Sequence, residues 1–205
     1  MSDGVDAPIL SYEQIRALAD GFLRKYNPKK HTPVPIDEIV EFQFGIDIIP
    51  IPGLHESFEI DGFTSSDLQE ITVDQYVYEH RQGRYRFTLA HEIGHIVLHS
   101  HIYKARKFRT TREWKAFVKS IPEETHSWLE YQAYSFAGLI LVPHDPLLTH
   151  AKRLVREVRR KITGIKNEED IVRQVVAEAL AKEFDVSMAV IERRLTKDKI
   201  FDAFS

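Results

Sequence analysis

The sequence of 205 residues contains no cysteine and no long apolar run. The lack of cysteine excludes disulfides and thiolate-bound metal sites, and it fits a reducing cytoplasm. The longest apolar stretch, FAGLILVP at 136–143, is far shorter than the roughly 20 residues that a membrane-spanning helix needs. The N-terminal segment MSDGVDAPILSYEQ lacks the basic region and apolar run of a secretory signal. We therefore expect a cytoplasmic protein with no membrane partner.

An excess of charge of one sign is also missing. The 28 Lys and Arg residues nearly balance 31 Asp and Glu residues, and the resulting net charge of −3 gives no general attraction to nucleic acid. A content of 43% hydrophobic and 29% charged residues is typical of a soluble globular protein. The length allows one sizeable core or at most two small ones.

Hydrophobic spacing and turn residues predict an α+β fold, with a small sheet in the N-terminal half and a mostly helical C-terminal half. The spacing predicts a helix from the capping box at Ser11 to the residues before Pro28, and a short helix over 35–44 capped by Gly45. Strands are predicted at 46–51, 57–64 and 70–75, the first of them as an edge or early-ending strand because it contains proline. Further helices are predicted near 84–100, 111–120, 123–142, 146–163, 168–183 and 186–196, with Gly164 among the breaks.

The stretch FTLAHEIGHIVLHSH (87–101) contains an HExxH motif. Residues four apart share one face of a helix, so His91 and His95 can point at one metal ion. The helix rotates by about 100° per residue, which lets Glu92 reach a water on the open side of that ion and take its proton. Gly94 costs about 1 kcal/mol in a helix interior, so we expect a close backbone contact there. The helical setting is an apolar stripe of Leu89, Ile93, Ile96 and Val97.

A catalytic zinc ion needs a third protein ligand besides two histidines. His101 has the spacing of HExxHxxGxxH enzymes, but Leu98 holds the position of their glycine and the chain lacks their methionine turn. Glu130 starts an apolar helix face in WLEYQAYSFAGLILVP (128–143), where a lone carboxylate is unusual unless it is paired or bound to metal. We choose Glu130, and therefore predict Zn2+ held by His91, His95 and Glu130, with Mn2+ or Fe2+ as alternatives.

Other residues have less certain roles in the sequence. His99 is expected beside the site, either supporting it or lying at the surface. Candidate donors to the oxyanion formed during hydrolysis are Tyr131, Tyr134, His99 and His126, and the sequence does not choose among them. The strand ITVDQ (71–75) is expected to pair with an extended substrate by strand addition.

Two motifs in order resemble the ImmA/IrrE family of metallopeptidases. They are RFTLAHEIGHIVLH (86–99) and E-x-x-A-x-x-F-A-x-x-I-L-x-P (130–143), and the resemblance extends to ITVDQ upstream and LAKEFDVSMAVIERRL (180–195) downstream. The sequence pattern predicts one domain in which the helices after about residue 146 form a subdomain. With the resemblance, we expect a zincin-like metallopeptidase domain over 1–145, whose sheet packs on the active-site helix, and a helical subdomain over 146–205 that ends like a helix-turn-helix.

The same resemblance implies a zinc-dependent endopeptidase, with His91, His95 and Glu130 as metal ligands and Glu92 as general base. Known family members are bacterial or phage regulators that cleave, or promote the loss of, a helix-turn-helix repressor, often under stress. The implied partner is therefore a separate repressor protein, in a stress-response or mobile-element switch that controls transcription.

Two features differ from the family pattern, and they leave the metal ligands intact. Tyr134 stands where members usually have asparagine, and the basic stretch YKARKFRTTREWK (103–115) lengthens the interval between His95 and Glu130.

Two other classes of function remain as alternatives. One is a DNA-binding or metal-sensing regulator with a non-catalytic metal site, using the basic helix at 151–166 or the C-terminal helices. The other is a metal-dependent interaction module without turnover. Against DNA binding, the last helix offers only Arg193, Arg194 and Lys197 in a chain of net negative charge.

Overall fold

The computed structural model describes residues 7–162 and 168–204. Its α-helices are α1 (Tyr12–Tyr26), α2 (Ile36–Glu38), α3 (Leu54–Phe58), α4 (Gln75–His80), α5 (Gln82–Lys104), α6 (Thr111–Ser120), α7 (Glu123–Leu141), α8 (His144–Ile162), α9 (Glu168–Phe184) and α10 (Met188–Lys197). The strands are β1 (Asp47–Ile51), β2 (Gly62–Thr64) and β3 (Glu70–Asp74). A π-helical turn, Ile39–Phe44, continues α2, and a 3₁₀-helix, Ile200–Phe204, follows α10. The predicted α+β class is confirmed.

The first predicted helix begins, and the second ends, for the expected reasons. Ser11 Oγ accepts the backbone N–H of Gln14 at 3.3 Å, while Gln14 Oε1 accepts the N–H of Ser11 at 2.8 Å. This reciprocal pair satisfies two amide groups that the first turn leaves free. Gly45 ends the second helical segment with φ of 65°, a conformation that suits glycine.

The three strands form one sheet in the order β1-β3-β2. Strand β1 runs parallel to β3, and β2 runs antiparallel to β3. The prediction that the proline-containing strand lies at an edge is confirmed, because β1, which contains Pro50, is an outer strand in the order β1-β3-β2. The prediction that ITVDQ pairs with a substrate is wrong, because β1 and β2 already occupy both edges of β3.

The predicted strand over 57–64 is wrong in its first half. Residues Leu54–Phe58 form the short helix α3, and the strand is limited to Gly62–Thr64. Leu54 is buried, and the backbone N–H of His55 donates to Asp74 Oδ2 at 2.9 Å. This contact with a residue far along the chain fixes the helix, and the local pattern does not reveal it.

Asp74 also explains a helix that the sequence pattern missed. Its Oδ1 accepts the backbone N–H of Val77 at 3.1 Å, so the carboxylate caps α4 directly after β3 ends. Burial raises the pKa of Asp74, but hydrogen bonds from the His55 and Val77 backbone amides outweigh it, and the net pKa lies below its usual value. The Asp74 carboxylate at the end of β3 therefore caps α4 and also holds α3 in place.

The C-terminal half is helical as predicted. Helix α5 continues one turn beyond the predicted end to Lys104, and α8 begins at His144, two residues before Pro146. The predicted break at Gly164 lies outside the described residues. The division into units at residue 145 stays a prediction.

Helix α5 lies at the centre of the protein. It packs most extensively against α7 and also contacts β2 and β3. Leu89, Ile93, Phe136 and Ile140, from these two helices, are completely buried. In the described parts of the chain, no helix combines the length and apolar character needed to cross a bilayer. The cytoplasmic location stays a prediction.

Candidate metal centre

Helices α5 and α7 bring the three predicted ligands together. His91 Nε2 lies 3.1 Å from His95 Nε2, and these nitrogens lie 3.2 and 3.3 Å from Glu130 Oε2 and Oε1. All three residues can offer ligand atoms within 4.8 Å of one another. Ligands of a tetrahedral zinc ion with bonds of about 2.0–2.1 Å are about 3.3 Å apart, so this donor set fits such an ion.

The close approach of the two helices depends on Gly94. A Cβ atom built at Gly94 would lie 3.0 Å from both the Cα and the carbonyl oxygen of Ala133 in α7. The expectation of a close backbone contact at Gly94 is therefore confirmed. Because Gly94 precedes one ligand and Ala133 follows another, this contact sets the separation of His95 and Glu130.

Replacing Gly94 by alanine is expected to destabilise the protein by about 1–3 kcal/mol, since the added methyl group has backbone rather than a flexible side chain in its way. The matched control is Gly21→Ala in α1, where the nearest atom to the new Cβ is the mobile Arg24 guanidinium at 3.7 Å. Gly21→Ala should stabilise by about 0.5–1 kcal/mol through helix propensity. Urea unfolding measures both; equal shifts of the same sign would contradict the packing argument.

A buried chain of hydrogen bonds supports His95 from behind. His95 Nδ1 lies 3.1 Å from His99 Nδ1, and His99 Nε2 lies 3.4 Å from Gln132 Oε1. Gln132 Nε2 donates to the carbonyl of Pro8 at 3.0 Å. If His95 Nε2 binds a metal, its Nδ1 carries the proton and donates to His99, which in turn donates to Gln132. Such a chain fixes the tautomer and orientation of a ligand histidine.

His99 is fully buried, so the alternative of a surface position is wrong. Burial, and then the neighbouring His95, lower the pKa of His99 to about 3. The ring is therefore neutral at physiological pH, as its place in the chain of hydrogen bonds requires.

Glu130 and His91 shift each other's pKa in opposite directions. Burial raises the pKa of Glu130, but hydrogen bonds from His91 and His95 outweigh it and hold the pKa far below its usual range. Burial lowers the pKa of His91, while the hydrogen bond and charge of Glu130 raise it, with a net upward shift. A metal ion binds the neutral imidazole of His91, whose raised pKa favours the protonated form, so metal affinity should fall as the pH falls.

Glu92 is buried beside the three candidate metal ligands, and strand β2 orients it. Thr64 Oγ1 donates to Glu92 Oε2 at 2.8 Å, and both residues are buried. The sequence analysis missed Thr64, because no local pattern links the end of a short strand to a helix 28 residues later.

Glu92 and the ligands face a cleft of about 500 Å3 between β2, α6 and the start of α7. A larger cavity, of about 640 Å3, lies between α1 and the start of α8, away from these groups, so size alone does not identify the site. The smaller cleft is chosen as the candidate site because of the chemistry of the residues that line it.

Tyr103 is a cleft residue that the sequence analysis missed. Its ring centroid is 5.6 Å from that of His95, and the residue is only 6% exposed. Burial, with added effects of Glu92 and Glu130, raises the pKa of Tyr103 well above its usual value, so the hydroxyl keeps its proton. Tyr103 lines the same cleft as Glu92, His91, His95 and Glu130. Tyr103 lies two helical turns after His95, so a predicted helix that extended past residue 100 would have identified it as a candidate.

The structure separates the four proposed oxyanion donors. His126 lines the cleft, with Nε2 at 3.6 Å from Glu130 Oε1. Tyr131 and Tyr134 line a different pocket beside α10, and His99 lies behind His95. The rejected ligand His101 is exposed.

Several of the basic residues proposed for DNA contact are engaged within the protein. Arg194 is 3% exposed and donates to the carbonyl of Val142 and to Asp198. Arg193 stacks on Tyr134, with 4.2 Å from its guanidinium carbon to the ring centroid. In the basic helix α8, Arg153 pairs with Glu157 and Glu183, while Arg159 pairs with Glu169. These contacts weaken the DNA-binding alternative.

Comparisons with known proteins show a family and a similar fold. Residues 43–196 match the M78 peptidase family described as the IrrE N-terminal-like domain. The solved structure of a Mycobacterium tuberculosis transcriptional regulator is similar in fold, with a TM-score of 0.54 and 15% identity. The similarity covers 90% of this chain and 58% of that one, so this chain spans less than two thirds of the regulator. No curated protein matches the chain.

Proposed function

Since the chain belongs to the IrrE N-terminal-like family of M78 peptidases, we propose that it is a zinc-dependent endopeptidase that cleaves a regulatory protein. The observation that carries the proposal is the convergence of His91, His95 and Glu130 in a cleft that also holds Glu92. The resemblance of its motifs to ImmA/IrrE proteins favours a separate helix-turn-helix repressor as substrate, in a bacterial or phage stress or mobile-element switch. The regulator of similar fold is compatible with that setting.

His91, His95 and Glu130 would hold the metal. Two imidazoles and a carboxylate form a known catalytic zinc set, and Mn2+ or Fe2+ remain alternatives. When bound, such an ion acts as a Lewis acid that polarises the peptide carbonyl and lowers the pKa of water.

The residues of the chain supply the proton transfers and the positioning. Glu92 accepts a proton from the attacking water and passes it to the leaving amine, and Thr64 holds its carboxylate in place. The Tyr103 hydroxyl donates a hydrogen bond to the oxyanion of the tetrahedral intermediate. The edge of β2 that faces away from β3, and that borders the cleft at Gly62, replaces β3 as the edge that pairs with an extended substrate.

Replacing Tyr103 by phenylalanine is expected to lower kcat by about 100- to 1000-fold, the usual effect of losing one oxyanion donor. Bound zinc and KM should stay unchanged, because the ring still packs against His95 and only the hydroxyl is lost. Tyr131→Phe, outside the cleft, is the matched control. A kcat within twofold of wild type in Tyr103→Phe would remove this role.

The proposed function is tested by incubating the zinc-loaded protein with the soluble proteome of its source cell. New protein N-termini are then quantified by mass spectrometry. We expect a small set of cuts, including one in a helix-turn-helix repressor, that disappears with a chelator and returns with zinc. No new termini with the zinc-loaded protein would contradict the proposal. Salt-dependent binding to duplex DNA that survives chelation would instead favour the regulator alternative.

A further inference from the structure

The segment between the two parts of the metal site is strongly basic. Residues 104–119 contain seven Lys or Arg side chains and one acid, Glu113, in a chain whose net charge is −3. Glu113 serves the backbone, because its carboxylate accepts the N–H groups of Arg109 and Thr110 at the start of α6. The segment therefore keeps a local excess of positive charge.

Helix α6 forms one wall of the cleft and turns two of these cations toward it. Trp114 packs on Phe63 of β2 at 5.5 Å between ring centroids, and Phe117 stacks on Phe108 at 4.9 Å. These contacts fix the inner face of α6. Lys115 and Lys119, one turn apart, then line the same cleft as the metal ligands.

Neither cation is neutralised. In the described residues, no carboxylate forms an ion pair with Lys115 or Lys119, whereas Arg109 pairs with Asp67 at 2.9 Å. The Lys115 ammonium instead lies 5.2 Å from the ring centroid of Phe58, across the cleft. The wall formed by α6 is thus a positively charged surface within reach of the reacting groups.

The wall of the cleft opposite α6 carries acidic residues. Glu59 and Asp61 line the cleft there, and Asp61 is already paired with Arg84 at 2.8 Å. An extended peptide in the cleft therefore meets uncompensated positive charge on the α6 side. Complementary charge of this kind selects partners and speeds their association.

We propose that Lys115 and Lys119 bind acidic side chains of the substrate, so that the protein prefers peptide segments with Asp or Glu on one side of the cleaved bond. This inference rests on the proposed peptidase function. A polypeptide is favoured over nucleic acid because the two lysines share a cleft of about 500 Å3 with the metal ligands, which a duplex cannot enter.

The first test measures binding without cleavage. Zinc-loaded full-length Glu92→Gln protein is titrated into fluorescein-labelled 12-residue peptides that differ only in three residues, all Asp, all Ser or all Lys. We expect the Asp peptide to bind about tenfold more tightly than the Ser peptide at 50 mM NaCl, with a smaller difference at 300 mM. Adding Lys115→Glu with Lys119→Glu should shift the preference to the Lys peptide.

Two further variants serve as controls. Lys152→Glu with Arg156→Glu places the same charge reversal, also four residues apart, on an exposed face of α8, and should leave the Asp preference unchanged. Lys119→Glu alone changes an exposed side chain, so it reports on charge even if the half-buried Lys115 is needed for folding.

Equal affinity for the three peptides, or an Asp preference that survives both lysine reversals, would overturn the inference. So would a single-stranded oligonucleotide that binds more tightly than the Asp peptide through the same lysines. Cleavage of a proteome-derived peptide library by the wild type then separates the two proposals. If the Asp peptide binds most tightly but no bond is cut, the preference for acidic peptides stands and the peptidase proposal fails. If bonds are cut with no Asp or Glu nearby, the peptidase proposal stands and the acidic preference fails.

Discussion

Replacing Glu92 by glutamine is expected to abolish cleavage while the metal stays bound. The amide has nearly the same shape as the carboxylate, and its oxygen can still accept the hydrogen bond from Thr64. It has no basic oxygen to take a proton from water, so the rate should fall by at least about 100- to 10,000-fold, the range for losing a general base.

The assay for Glu92→Gln combines elemental analysis for zinc with quantification of cut N-termini. The control is Glu124→Gln, which makes the same change on an exposed carboxylate of α7. Loss of both metal and activity would mean that Glu92 serves the structure of the site. Full activity in Glu92→Gln would contradict the assignment of Glu92 as general base, and the proposed mechanism would then not explain hydrolysis.

Removing a ligand should have a different signature, with zinc and activity lost together. For the wild type, zinc at 100 times its Kd should raise the free energy of unfolding by about 2.7 kcal/mol. In a chain of this size, that corresponds to an increase in Tm of about 5–10 °C. His95→Ala and Glu130→Ala should show neither this increase nor stoichiometric zinc, because two donors remain where a catalytic site needs three.

His101→Ala is the natural control for the ligand variants. It removes the histidine whose spacing suggested a different ligand set, and the structure places that histidine at the surface. Zinc retained by Glu130→Ala and lost by His101→Ala would reverse our assignment. Equal zinc in all four proteins would place the metal elsewhere.

The parts of the site that follow from local geometry could be predicted from the sequence. Helical periodicity is enough to put His91 and His95 on one face, and an acidic residue at the head of an apolar face singled out Glu130. Gly94 was informative for a similar reason, since an unfavourable residue inside a helix needs a compensating contact.

The parts that depend on contacts between distant segments could not be predicted. Thr64 reaches Glu92 only because β2 pairs with β3 beside α5. Tyr103 enters the cleft because α5 continues past the point where its sequence pattern weakens. The alternating pattern of residues 57–64 resembles a strand throughout, but Ser57 and Phe58 belong to α3, which is held by the burial of Leu54 and by the contact of His55 with Asp74.

The hydrogen bonds behind His95 end on the main chain of Pro8, ahead of the first helix. That segment is thus linked by hydrogen bonds, through the side chains of Gln132 and His99, to the His95 imidazole that we assign to the metal. An affinity tag fused ahead of Pro8 is expected to disturb this chain of hydrogen bonds. Preparations intended for zinc titrations should therefore carry the tag at the other end of the protein.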